Sequence, residues 1–178
     1  GHDGISIKMI QFCSKSLALC LFFRNCFETS TFPDQWKKGN IIPIHKKGDK
    51  NSVSNCRPIS LLPIFPKVFE RIIFDNIFKY MNQNNFFNSN QSGFRPGDSC
   101  IHQLISITHD IHTNFDAYPT KEVRGLFLDI SKAFDRVWHK GLLYKIKNFG
   151  IEGKLFHLLE SFLSERYQRV TINGQSSK

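Results

Sequence analysis

At 178 residues the chain is long enough to close one domain around its own core. Its 24 lysines and arginines against 15 acidic residues leave a formal charge of +9, which favours a polyanionic partner. The 18 phenylalanines supply ample core material, and the five cysteines, an odd number without a C-x-x-C pair, argue against a disulfide framework. Cys13, Cys20, Cys26, Cys56 and Cys100 are therefore expected to be buried thiols in a reducing, intracellular compartment, nuclear or cytoplasmic, and the chain is not read as secreted. No membrane segment is expected, because the apolar run Leu17 to Phe23, bracketed by Lys15 and Arg24, is far too short to span a bilayer. Gly1 opens no signal-peptide layout and the chain stops just past a strand-like run, so it reads as part of a longer polypeptide.

In chain order, Ile5 to Phe27 reads as a helix with an apolar face of Met9, Ile10, Phe12, Cys13, Leu17, Cys20, Leu21 and Phe27. Thr31-Phe32-Pro33-Asp34 ends it, and Asp34 to Lys37 starts a short helical turn anchored by Trp36. Asn40 to His45 reads as a strand, and Pro43, which has no N–H to give a ladder, marks it as an edge strand. After the Lys46-Lys47-Gly48-Asp49-Lys50 turn the chain returns through Val53 to Leu62, making a hairpin-like finger. Lys46, Lys47, Lys50 and Arg57 on that finger suit a phosphate cluster, or else a solvated turn that guards a sheet edge.

Pro66 opens a core helix with Val68, Phe69, Ile72, Ile73, Ile77 and Tyr80 on one face. Gln91 to Ser99 is a tight loop in which Gly93, Arg95 and Gly97 can bring backbone amides close to a polyanion; a plain turn with an N-cap at Asp98 or Ser99 is the simpler reading. The helix from Cys100 to about Phe115 aligns Ile101, Leu104, Ile105, Thr108, Ile111 and Phe115. His102, His109 and His112 on it do not converge as zinc ligands should, and read as packed or surface histidines.

The apolar run Gly125 to Leu128 reads as a buried strand that ends on Asp129, followed by an amphipathic segment from Phe134 to Asn148. Such a strand can deliver a metal-binding carboxylate to its exposed end, and Asp129 can equally cap the next helix. Gly153 to Leu163 is a further short helix, and Gln168 to Gly174 alternates into Asn173-Gly174, a strong hairpin signal. No internal repeat and no G-x-x-x-x-G-K-[ST] phosphate loop occurs.

Five of these stretches, in this order, resemble the reverse transcriptase domain of non-LTR (LINE-type) retrotransposons. They are Phe32 to Lys37, Ile42 to Asp49, Asn55 to Leu62, Gln91 to Gly97 and Leu128 to Asp135. Asp3-Gly4-Ile5 and Arg169 to Gly174 are also similar to the family, so the resemblance covers essentially the whole chain. It implies an α+β, fingers–palm polymerase fold, truncated within the palm: 1–33 an N-terminal helical extension, 34–122 a fingers-like region and 123–178 a partial palm.

The implied activity is RNA-directed DNA synthesis, with an RNA template, a DNA primer and dNTPs as partners and no protein partner evident. Asp129, with the backbone carbonyl of Ile130, would help hold two Mg²⁺ ions that activate the primer 3′-hydroxyl and stabilise the leaving pyrophosphate. Phe134 matches the aromatic under the sugar that excludes a 2′-hydroxyl, and Lys46 and Arg57 match the cations that clamp the triphosphate. Gln91, Gly93, Arg95 and Lys47 would lie near template and primer. The family's Pro-Gln-Gly segment and Asp-Asp pair are not among these residues and would lie beyond Lys178. A two-metal site needs about three carboxylate contributions, so these residues alone are expected to be catalytically inert. Two other identities compete: an intron-encoded maturase-type reverse transcriptase, and a non-catalytic nucleic-acid-binding remnant of a decayed element.

Overall fold

The computed structural model describes residues 3–13, 17–119 and 121–177. The chain divides into two compact units, Gly1–Lys79 with Trp138–Lys178, and Tyr80–Val137.

In the first unit an aromatic cluster decides which helix faces turn inward. Phe32 is fully buried; it lies edge-on to Trp36 at 5.4 Å and to Phe162 at 5.0 Å between ring centroids, and its N–H donates to Ser161 Oγ at 3.1 Å. Phe69 stacks on Phe23 at 5.1 Å, and Leu158 and Cys26 complete the core. The expected helix from Ile5 to Phe27 is present as α1 (Ile7–Cys13) and α2 (Leu17–Glu28), with residues 14–16 outside the described residues. Its inward face differs from the expectation. α2 turns Leu19, Phe23 and Cys26 to the core, while Met9, Phe12, Leu21 and Phe27 are exposed. The contacts of Phe23 with Phe69 and Trp36 set the rotation of α2, and a count of apolar positions along one helix carries no such information. Among the cysteines only Cys26 is buried; Cys56 is half-buried, and Cys13, Cys20 and Cys100 are exposed thiols.

Pro33 sits at the N-cap of a 3-10 turn, Asp34–Lys37, and Trp36 anchors that turn as its sequence suggested. Lys37 is also buried, its ammonium 3.1 Å from Asp34 Oδ1. α3 (Ile64–Gln83) carries Pro66 in its first turn, where no N–H partner is needed, and buries Pro66 and Phe69. α5 (His139–Asn148) and α6 (Gly153–Leu163) follow in the C-terminal part, and Lys154 of α6 pairs with Glu28 of α2.

Four strands form one sheet: β1 (Lys38–His45), β2 (Cys56–Leu61), β3 (Tyr167–Ile172) and β4 (Gln175–Ser176), in the order β2-β1-β3-β4. β1 runs antiparallel to β2 and parallel to β3, and β3 turns into β4 through Asn173 (φ 50°) and Gly174 (φ 80°), the left-handed pair that a tight hairpin requires. The expectation of an edge strand fails only at Asn40 and Ile41 of β1. Asn40 and Ile41 pair with both neighbours, whereas Lys38 and Gly39 pair with β3 alone and Ile42 to His45 with β2 alone.

Pro43 explains the division. The Lys46 N–H donates to Asn55 O at 2.8 Å, which makes that pair hydrogen-bonded. Alternation along the same register makes Pro43↔Pro58 a non-bonded pair, so neither proline withholds an N–H from the other strand. Pro43 then points its nitrogen to the β3 side, two residues past the last β1–β3 pair, Ile41↔Val170.

Glu70 is the misfit of this unit. Its Oε1 is buried with no hydrogen-bond partner among the described residues, and burial pushes the carboxyl up against the opposing pull of Arg166 and Lys67. A carboxyl raised by folding binds its proton more tightly in the native state, so stability falls as pH rises through its folded value and is recovered on acidification. Glu70→Gln is expected to melt higher than wild type at about pH 7 and level with it near about pH 4, where an ordinary glutamate is protonated. An equal difference at both pH values would refute the charge as its cause.

In the second unit, α4 (Cys100–Phe115) has the boundaries its pattern indicates, capped by Ser99 Oγ accepting the His102 N–H at 3.2 Å. Its apolar face is another matter: Ile101, Leu104, Ile105 and Phe115 are exposed. The expected strand Gly125 to Leu128 is absent. Residues 121–130 have no regular structure, and Leu126, Phe127 and Leu128 are 84–85% exposed. A strand needs a neighbour to pair with, and none of the strands of the described residues pairs here, so the apolar run finds neither a ladder nor a layer to pack on. The expected amphipathic segment from Phe134 is divided into a 3-10 turn, Phe134–Arg136, and α5.

Candidate functional site

The finger hairpin is a braced structure. Gly48 takes φ 80°, and a Cβ there would come within 2.9 Å of Asn55 Nδ2. Asn55 Nδ2 donates to Asp49 O at 2.9 Å, the Asn51 N–H to Asp49 Oδ1 at 2.9 Å, and His45 Nε2 lies 2.9 Å from Gly48 O. These bonds fix the turn from its own backbone and leave Lys46, Lys47 and Lys50 exposed around it. Arg57 pairs with Ile44 across the hairpin, and Lys46 is two residues beyond Ile44. Side chains alternate along a strand, so Lys46 and Arg57 stand on the same sheet face. The structure thus brings these predicted cations together, with Lys47 on the adjoining turn.

In the second unit the loop before α4 is held by hydrogen bonds of its side chains. Gln91 Nε2 donates to Gly93 O at 3.1 Å, Ser92 Oγ to Gln103 Oε1 at 2.6 Å, and the Ser99 N–H to Asp98 Oδ1 at 2.7 Å. The Ser92 hydroxyl, whose one proton is divided between Asp98 and Gln103 Oε1, and the Ser99 amide, with His102 beside them, hold the Asp98 carboxyl below its usual range. Arg95 is engaged by its own loop: its guanidinium lies 5.3 Å from the Phe87 ring centroid and donates to Asn88 O at 3.3 Å.

Asp129 is exposed within the irregular segment. It caps nothing: the 3-10 turn that follows has Ala133 at its N-cap and α5 has Trp138, neither with a side-chain cap bond. Phe134 is exposed and meets Phe94 edge-on, 6.5 Å between centroids at 90°. Phe94 is a residue that sequence reasoning passed over. It is 89% exposed with φ 62°, an uncommon conformation for a bulky side chain, and an aromatic placed between Gly93 and Arg95 was the available signal.

The donors fit Mg²⁺ in kind but not in number. A carboxylate and a peptide carbonyl, at Asp129 and Ile130, are the hard oxygen ligands this cation takes. Among the described residues, however, no group of three or more His, Cys, Asp or Glu side chains comes together in a metal-holding arrangement. A cavity of about 380 Å³ in the first unit is lined by apolar groups, among them Leu19, Phe22, Trp36 and Phe65, and by none of the predicted site residues. No helix of the described residues is long and apolar enough to cross a membrane.

Comparison with known proteins agrees with the motif order. The reverse transcriptase (RNA-dependent DNA polymerase) family profile matches residues 44–178. The chain belongs to the reverse transcriptase family. It is 41% identical over 181 residues to the probable RNA-directed DNA polymerase from transposon X-element of Drosophila melanogaster, covering 99% of this chain and 20% of that protein. It is 37% identical over 161 residues to the RNA-directed DNA polymerase from mobile element jockey of the same organism, covering 89% of this chain and 17% of the relative. The probable RNA-directed DNA polymerase from transposon BS, also of Drosophila melanogaster, is 34% identical over 90% of this chain and 18% of its own length. The chain thus spans about a fifth of the length of these relatives, all mobile-element polymerases, as the LINE-type resemblance implied.

Proposed function

We propose that these residues form part of the RNA-directed DNA polymerase of a LINE-type retrotransposon, a nucleotidyltransferase that joins dNTPs to a primer 3′-hydroxyl on an RNA template. Residues 34–122 act as the fingers-like region and 123–178 as the opening of the palm, after an N-terminal helical extension at 1–33. The observation that carries this reading is the match of a reverse transcriptase profile along 44–178, a stretch that takes in most of the Ile42–Asp49 motif and the three motifs after it, in family order.

In this proposal Lys46 and Arg57, on one face of the braced hairpin, hold the triphosphate: the lysine as a mobile point charge, the arginine as a rigid fork of donors. Gln91, Gly93, Arg95 and Lys47 meet template and primer. Asp129 and the Ile130 carbonyl contribute ligands to two Mg²⁺ ions, which when bound stabilise the developing charge of phosphoryl transfer. The remaining ligands have to come from other residues, so the 178-residue chain by itself does not extend a primer. Phe134 excludes the 2′-hydroxyl.

Replacing Phe134 with alanine in the complete polymerase domain is expected to relax discrimination against ribonucleotides by about 10- to 100-fold, the range that a single steric contact supplies. The readout is the ratio of kcat/KM for a dNTP and its rNTP; an unchanged ratio would remove the gate role.

A further inference from the structure

In the sheet of the first unit, β1 turns one face inward at Gly39 and Ile41 and leaves the other open, while β2 and β3 are largely exposed. Ile41 and Gly39 are buried, so the alternate residues of β1, Lys38, Asn40, Ile42 and Ile44, belong to the other face. The register puts Tyr167 beside Lys38, Arg169 beside Asn40 and Arg57 beside Ile44 on that face. A hydrogen bond confirms the alignment: Arg169 Nε–H donates to Asn40 Oδ1 at 2.9 Å, between residues 129 positions apart in sequence. That bond orients the guanidinium and leaves its two terminal NH₂ groups for another acceptor. Tyr167 is 65% and Ile44 52% exposed, so apolar and aromatic surface lies open between the cations. None of the four strands contains an aspartate or glutamate. An open sheet that mixes apolar, aromatic and cationic side chains and carries no acid complements a polyanion with flat apolar parts.

We propose that this open face binds single-stranded RNA, with phosphates on Arg169 and Lys38 and a base stacked on Tyr167. The proposal rests on the reverse transcriptase reading for the identity of the polyanion, and adds a surface and residues that the motif comparison left without a role. Its size is suitable. Arg57 and Arg169 are separated by four residue steps along the strands and two strand spacings across them, about 16 Å in all. At a rise of about 3.4 Å per nucleotide in a stacked strand, that is a track of roughly five nucleotides, within the usual footprint of a small single-strand site. Arg57, at one end of this span, is itself one of the residues proposed for the triphosphate, so strand and incoming nucleotide meet at that end of the face.

The test is fluorescence anisotropy with a labelled single-stranded RNA 15-mer, titrated with the 178-residue chain at several salt concentrations, circular dichroism confirming that each variant is folded. Arg169→Gln is expected to weaken binding about five- to tenfold and to reduce the salt slope by about one, and Arg169→Lys to restore the slope. Tyr167→Ala is expected to weaken binding by at least about fivefold with the salt slope unchanged, because a stacked base releases no counterion. Wild-type affinity in both Arg169→Gln and Tyr167→Ala would overturn the proposal and leave the polymerase reading intact. Absence of wild-type binding to the RNA, or equal affinity for a polyglutamate peptide, would also overturn it; the polymerase reading is judged separately, by RNA-templated primer extension.

Discussion

Asp129→Ala, placed in the complete polymerase domain, is expected to abolish dNTP incorporation and leave binding of the RNA template within about twofold. The loss should be on the order of a thousandfold or more, since each 1.4 kcal/mol of transition-state stabilisation is tenfold in rate and a metal ligand supplies several kcal/mol. The structure makes this substitution a clean probe. Asp129 lies exposed in an irregular segment and caps no helix, so the fold loses little when its carboxylate goes. A melting temperature unchanged from wild type should accompany the dead enzyme. Retained synthesis in the alanine variant would refute the metal role, and lost synthesis together with a large fall in melting temperature would assign Asp129 a structural part instead.

The second large effect belongs to the fold. Phe32→Ala removes a fully buried ring from between Trp36 and Phe162 and leaves a cavity where the aromatic cluster meets α6. Such truncations cost about 3–5 kcal/mol. At about 2–4 °C per kcal/mol for a chain of this size, the melting temperature should fall by on the order of 10 °C. Phe94→Ala is the control, because its ring is 89% exposed and its removal should change stability by less than about 0.5 kcal/mol. Equal melting temperatures for Phe32→Ala and wild type would mean that the cluster is not the core of the first unit.

The sequence was most legible where a local signal decides the structure. Ser99 as an N-cap fixed the start of α4, Asn173-Gly174 fixed the β3–β4 turn, and Pro33 with Trp36 marked the 3-10 turn. It was least legible where a distant partner decides. Nothing near Asn40 announces that β3 lies beside it in parallel, so the edge-strand reading that Pro43 supports misses that Asn40 and Ile41 are paired on both sides. The rotation of α2 is set by Phe69 and Trp36, which its own apolar count does not contain. The run Gly125 to Leu128 shows the same limit from the other side. Its composition suits a strand, yet composition supplies no neighbour, and among the described residues it stays unpaired and exposed.

The candidate site follows the same division. The residue types and their order named the family, and the register then showed that Lys46 and Arg57 share a sheet face. Arg169 was visible as part of an alternating segment with a terminal Asn-Gly. Its position beside Asn40 was not, because the two are 129 residues apart.

The most direct test of the central claim is template-directed extension of a DNA primer annealed to RNA, with dNTPs and Mg²⁺, comparing the 178-residue chain with a protein in which these residues continue through the complete reverse transcriptase domain. The expected result is DNA synthesis by the complete domain and none by the 178-residue chain. Extension by the shorter chain, or none by the complete domain on an RNA template that it binds, would contradict the account.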